Sequence, residues 1–223
     1  MQYNIAIKII YQVENLILKN IPDYYRRDIK RNIRKSIVSL IIGLVLPLVL
    51  LIHDTSNYYE TISTVVSTYS YLRDFISYPI LSSMGWAITL NTIVYILLTN
   101  IVYEALFMIT LPGIIVLSKL LLYLKYFMRG LLLFSVISTH PYLSLLILIL
   151  LIIELFGFSA SATTGHYLGV SIFRPSIISK DLGRLNALKI NFRNLLLTYV
   201  YLIIPIFIFS AILETLLLYI AIW

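Results

Sequence analysis

Apolar positions along the chain gather into long runs, and most of the charge falls in the intervals between them. The first run, SIVSLIIGLVLPLVLLI, occupies about residues 36–52, with Pro47 as a kink point. The second starts near Trp86 and reaches about residue 111, where Pro112–Gly113 breaks it. A third covers 117–139, a fourth 142–173 and a fifth 194–222. A hydrocarbon core of about 30 Å needs ~20 helical residues, so these runs read as membrane spans. The pattern predicts an all-α fold, a polytopic transmembrane helical bundle of about five spans. The fourth run exceeds the length of an upright span, which implies strong tilt or a break between Gly157 and Gly169.

The intervals set the orientation. Residues 1–35 carry eight Lys or Arg against three Asp or Glu, and Ile5, Ile9, Val13, Leu16 and Ile17 recur near helical spacing. This predicts a basic amphipathic helical segment on the cytoplasmic side, resting on anionic lipid or serving only as a positive anchor. Residues 53–85 hold one Arg against three acids and read as a short external segment. Residues 174–193 hold five basic residues against one acid and read as a cytoplasmic loop. The amino terminus is then inside, the carboxyl terminus outside, and residues 36–223 form one transmembrane domain in the cell membrane. The first span acts as an uncleaved start-transfer signal.

Composition agrees with this and narrows the chemistry. Of 223 residues, 60% are hydrophobic and 12% charged, with a mean hydropathy of +0.94. Soluble domains carry roughly 25% charged residues. The net charge of +7 reports the cytoplasmic side and anionic lipid, not nucleic acid. There is no cysteine, so disulfides, thiolate metal sites and a cysteine nucleophile are excluded. His53, His140 and His166 show no HExxH pattern, and no metal site is expected. GxSxG elbows and phosphate-binding glycine loops are missing too. No cofactor is implied, and the reading is not an enzyme.

Four ionisable residues fall inside the spans: Glu104, Arg129, Glu154 and Glu214. A charge at the bilayer centre costs about 2.5–3.5 kcal/mol, so such groups face protein or water and find partners. Counted from the turn at His140–Pro141, Arg129 lies about ten residues before and Glu154 about thirteen after, which sets both near mid-depth on antiparallel neighbours. They are expected to pair, or Glu154 to be protonated. Glu104 and Lys119 flank the Pro112–Gly113 break and are candidates for a second pair. Glu154 serves as a registry residue, a proton or ion relay, or a partner contact, and its own residue type does not choose among these. After it comes ELFGFSASATTGHYLG, where Ala160, Ala162, Gly165 and Gly169 form a small-residue seam that lets another helix approach. Ser159, Ser161, Thr163 and Thr164 beside the seam return hydrogen bonds to helical carbonyls or bridge helices.

The run E-L-x-x-x-x-A-x-A-x-x-G-x-x-x-G, from Glu154 to Gly169, resembles the signature of the stage II sporulation protein M family of integral membrane proteins. Asn91 or Asn100 in the second span is similar to that family's asparagine-bearing helix, and IPIFIFSAILETLLLY with Glu214 is similar to its closing span. Leu150 and Leu151 stand where the family shows His and Gly, so no histidine shares a proton with Glu154. The resemblance covers the chain from about Ile37 onward. It implies a membrane component of a multiprotein complex, whose relatives in spore formers help localise wall-degrading partners and which also occurs in archaea.

Two functions follow as expectations. One is a non-enzymatic membrane scaffold that meets other membrane or extracellular proteins, or a second copy, through the seam, the external segment or the basic inner surface. The other is a permease-like membrane subunit of a transporter, using Glu154, Arg129 and a broken fourth helix around a mid-membrane site.

Overall fold

The computed structural model describes residues 21–53, 86–139, 141–177 and 183–222. Every regular element among them is helical. The predicted segments at residues 1–20, 54–85 and 178–182 lie outside the described residues. Four helices are long and apolar enough to cross a membrane: Asp23–Val49, Leu90–Ile115, Pro141–Phe173 and Arg184–Leu217.

The first helix, α1, runs Asp23–His53 without interruption. Its buried positions, Ile21, Tyr25, Ile29, Asn32, Ser36, Leu40, Gly43 and Pro47, continue one stripe at spacings of three and four from the cationic segment into the apolar run. No breaker separates the two halves, and Asp23 sits in the first turn, where an acid complements the helix dipole. Residues 23–35, the described part of the basic segment, thus continue into the first apolar run as one helix.

The second helix, α2 (Trp86–Leu98), passes into a π-helical stretch, Thr99–Thr110, and then a 3-10 turn, Leu111–Ile115. Pro112 starts the tight turn, and Val116 ends it in the left-handed region at φ 66°. Its N–H reaches the Gly113 carbonyl at 2.8 Å. Helix α3 (Ser118–Thr139) then runs back antiparallel to α2. It lies along α1, and the two cross at Gly43 and Gly130. A Cβ on Gly43 would run into the Phe127 carbonyl, and one on Gly130 into the Leu40 carbonyl.

Helix α4 (Pro141–Phe173) is the centre of the bundle and packs against α1, α3, the π-helical and 3-10 stretches that continue α2, and both helices that follow it. It is one continuous α-helix, so of the two alternatives, strong tilt or a break between Gly157 and Gly169, the break does not occur. Those glycines are needed for close approach of neighbours, and Ser161, Thr163 and Ser171 each return a hydroxyl to the carbonyl one turn back. After a short 3-10 turn, Pro175–Ile177, the chain resumes as α5 (Arg184–Thr198), a π-turn Tyr199–Ile203 and α6 (Ile204–Ile222). The predicted loop 174–193 thus contains the start of a helix. Its charges occupy the open face, while Ala187, Asn191, Asn194 and Thr198 turn inward at helical spacing. Fully buried Phe158, Phe207, Leu155, Ile203 and Tyr126 fill the interior. Outward faces carry exposed Val38, Ile42, Leu145, Leu196 and Phe209, a distribution that suits hydrocarbon as the surrounding solvent.

Candidate functional site, a buried ionic cluster

Four helical segments bring ionisable side chains to one place in mid-bundle. Glu154 on α4 is 3% exposed. Its Oε2 accepts from Arg129 Nη1 on α3. Its Oε1 accepts from Ser210 Oγ on α6 at 2.9 Å and from Asn100 Nδ2 in the π-stretch at 3.4 Å. Glu104, one π-turn from Asn100, pairs with Lys125 and lies 3.5 Å from Arg129 Nη2. Glu214 on α6 lies within electrostatic reach of Glu154, Arg129 and Glu104. The Phe158 ring carries both cations, with Lys125 Nζ at 4.0 Å and Arg129 Cζ at 5.1 Å from its centroid.

The cluster holds three carboxylates and two cations. Each cation has a carboxylate, which offsets the desolvation that burial imposes on every charge. Glu154 and Arg129, expected from depth counting to meet, are directly bonded here. The candidate pair of Glu104 with Lys119 is replaced. Lys119 lies immediately after the turn at Val116 and bonds Asp28 Oδ2 on α1 at 2.6 Å. Glu104 sits far deeper, so its level on the antiparallel α3 falls between Lys125 and Arg129. Asn100 joins the cluster and Asn91 is exposed on α2. Lys125 and Ser210 were not foreseen. Counting residues from the turn would have found Lys125, which shares a face with Arg129 at i,i+4; a lone serine in an apolar run gives no such signal.

The seam of Ala160, Ala162, Gly165 and Gly169 is buried within the chain. A Cβ on Gly165 would strike the Thr110 carbonyl, and one on Gly169 the Gly113 carbonyl. The helix that the glycines admit is therefore the chain's own α2, at its 3-10 end, and both positions are closed to a partner. Thr110 Oγ1 fixes this contact, donating to the Ser161 carbonyl at 3.2 Å and meeting Tyr199 Oη at 2.7 Å.

A second polar layer lies toward the cationic end. Tyr123 Oη donates to Asn32 Oδ1 at 3.0 Å, and Asn32 Nδ2 to Thr163 Oγ1 at 2.9 Å. Deeper toward that end, Tyr25 Oη donates to Asn191 Oδ1 at 3.1 Å while its ring stacks on Tyr167 at 4.7 Å. His166 is half-buried beside this layer, with its ring 5.6 Å from Tyr167. Among the described residues no group of three or more His, Cys, Asp or Glu could hold a metal ion.

Compared with protein-family models, with curated proteins and with solved structures, the chain matches none. Chemically, the cluster can lock four helical segments in register, and among the described residues it holds one carboxylate more than it has cations.

Proposed function

We propose that this chain is a non-enzymatic integral membrane scaffold, a component of a multiprotein complex in the cell membrane. In this reading α3 is a fifth span, the amino terminus is cytoplasmic and the carboxyl terminus external. The cationic ends of α1 and α5, with Lys119 and Arg174, share one end of the bundle and suit the anionic inner leaflet. The resemblance of Glu154–Gly169 to the stage II sporulation protein M family supports the same role. The observation that carries it is the internal neutralisation around Glu154: Arg129, Asn100 and Ser210 bond both its oxygens from three other segments. A carboxylate so occupied fixes helix register, and the docking surfaces left for partners are the external segment 53–85 and the basic inner end.

A second reading, a permease-like subunit, is favoured by one observation. The π-helical stretches Thr99–Thr110 and Tyr199–Ile203 flank the cluster, and π-distortions gather at functional sites. Extraction in mild detergent, with identification of the proteins that travel with the chain, separates the two. A stoichiometric membrane, secreted or wall-active partner, retained in the Glu154→Gln variant whenever that variant folds, is the expected result. An ATPase partner, or solute flux in vesicles that Glu154→Gln abolishes without loss of assembly, would replace the scaffold with transport.

A further inference from the structure

Besides Ser118 Oγ, which lies beside Gly113 and Gly165 at the start of α3, three hydroxyls inside the bundle have no hydrogen-bond partner among the described residues: Ser36 Oγ on α1, Tyr126 Oη on α3 and Ser159 Oγ on α4. All three residues are 0% exposed. Leaving a buried hydroxyl unsatisfied costs about 1–3 kcal/mol, so three on neighbouring helices call for a common explanation.

Their register supplies it. Asn32, Tyr123 and Thr163 already form a bonded trio across the same three helices. Helices α1 and α3 run parallel, as Asp28–Lys119, Asn32–Tyr123 and Gly43–Gly130 show in turn. Helix α4 runs the other way, from Glu154 beside Arg129 to Thr163 beside Asn32. Ser36 is one turn beyond Asn32, Tyr126 one turn beyond Tyr123 and Ser159 one turn before Thr163. The three hydroxyls therefore share one level, next above the trio and next below Arg129–Glu154. Tyr126 borders that cluster, with its ring 5.6 Å from Arg129 Cζ and its hydroxyl within electrostatic reach of Arg129, Glu154 and Glu104.

Buried water satisfies such groups when it finds two to four polar partners. We propose that Ser36, Tyr126 and Ser159 bind water inside the bundle, and that this hydration site gives protons from the cationic end a path to the ionic cluster. The path runs from the Asp28–Lys119 bridge along the Tyr123 and Thr163 hydroxyls, which the Asn32 amide holds in place, to the three hydroxyls, then to Glu154 and the surplus carboxylate Glu214. In one exchange the Glu214 O–H bond breaks, the proton passes to Glu154, and from Glu154 to bound water beside Tyr126. The reverse steps return a proton from the same water, so no net charge moves. This stands independently of the scaffold reading, since a structural bundle and a transporter could each hold such a site.

The test is infrared spectroscopy of the purified full chain in lipid nanodiscs during transfer from H2O to D2O. The carbonyl stretch of a protonated carboxyl group should be present, should vanish in Glu214→Gln and should move in Glu214→Asp. Its deuterium shift should be rapid in the parent chain. In Tyr126→Phe/Ser159→Ala, it should slow by roughly tenfold or more, as exchange then awaits local opening. Ser36→Ala, a milder change, should slow it in the same direction. Unchanged exchange rates in these folded variants would overturn the path, and a spectrum with no carboxyl band that depends on residue 214 would overturn its end point.

Discussion

At the scale of the residue, Glu154 draws its role from depth. It is buried among four helical segments, and three donors answer it. Glu154→Gln keeps an oxygen for Ser210 and Asn100 but loses the charge opposite Arg129, whose remaining carboxylate is Glu104 at 3.5 Å. The expected loss is roughly 1.5–3 kcal/mol, the worth of a charged hydrogen bond, read as a lower unfolding midpoint in detergent. Val116 offers a change of opposite sign. A β-branched residue at φ 66° is strained by about 1–2 kcal/mol, and glycine removes that strain. Val116→Gly should raise the midpoint, less a part of the gain to unfolded-chain entropy. The meeting of Glu154 with Arg129 was legible because both can be counted from one turn. Val116 was not, since valine carries no signal of a left-handed backbone.

At the scale of the element, glycines decide which helices touch. Gly43 and Gly130 let α1 and α3 cross backbone to backbone, and Gly165 and Gly169 admit the 3-10 end of α2. Gly43→Val and Gly130→Val should each cost at least about 1–3 kcal/mol by overpacking. Gly183→Ala, with nothing within 4 Å of the added Cβ, should leave the midpoint unmoved. The small-residue seam on α4 was legible in sequence, but its partner was not, because spacing says that a helix comes close without saying which. The sequence left open whether α4 tilts or breaks between Gly157 and Gly169, because serines, threonines and glycines suit either; here they bond their own helix or make room for others. The start of α5 escaped because buried Asn191 and Asn194 made an inward face look polar.

At the scale of the whole molecule, the charge of the described residues sits in two places: one end of the bundle and one interior cluster. The hydrophobic runs foretold the membrane class and the helical fold. The inner polar layers of Asn32, Tyr123, Thr163 and Asn191 were invisible to hydropathy, since each is a single polar residue whose partners come from distant chain. Orientation is testable directly because the chain has no cysteine. Arg27→Cys and Lys189→Cys, both at exposed positions, should react with a membrane-impermeant thiol reagent only in inside-out vesicles. Labelling of either from outside intact cells would reverse the proposed topology.

The central claim is that the bundle neutralises its interior charges within itself, with Arg129 and Glu154 as the pair that joins α3 to α4. A double-mutant cycle on unfolding in detergent, with Arg129→Leu, Glu154→Leu and both together, measures this most directly. Breaking a buried pair typically costs about 3–5 kcal/mol, whereas replacing both partners by apolar groups is near neutral. The account predicts that Arg129→Leu alone is strongly destabilised and that adding Glu154→Leu restores most of the loss. Losses that simply add would contradict it.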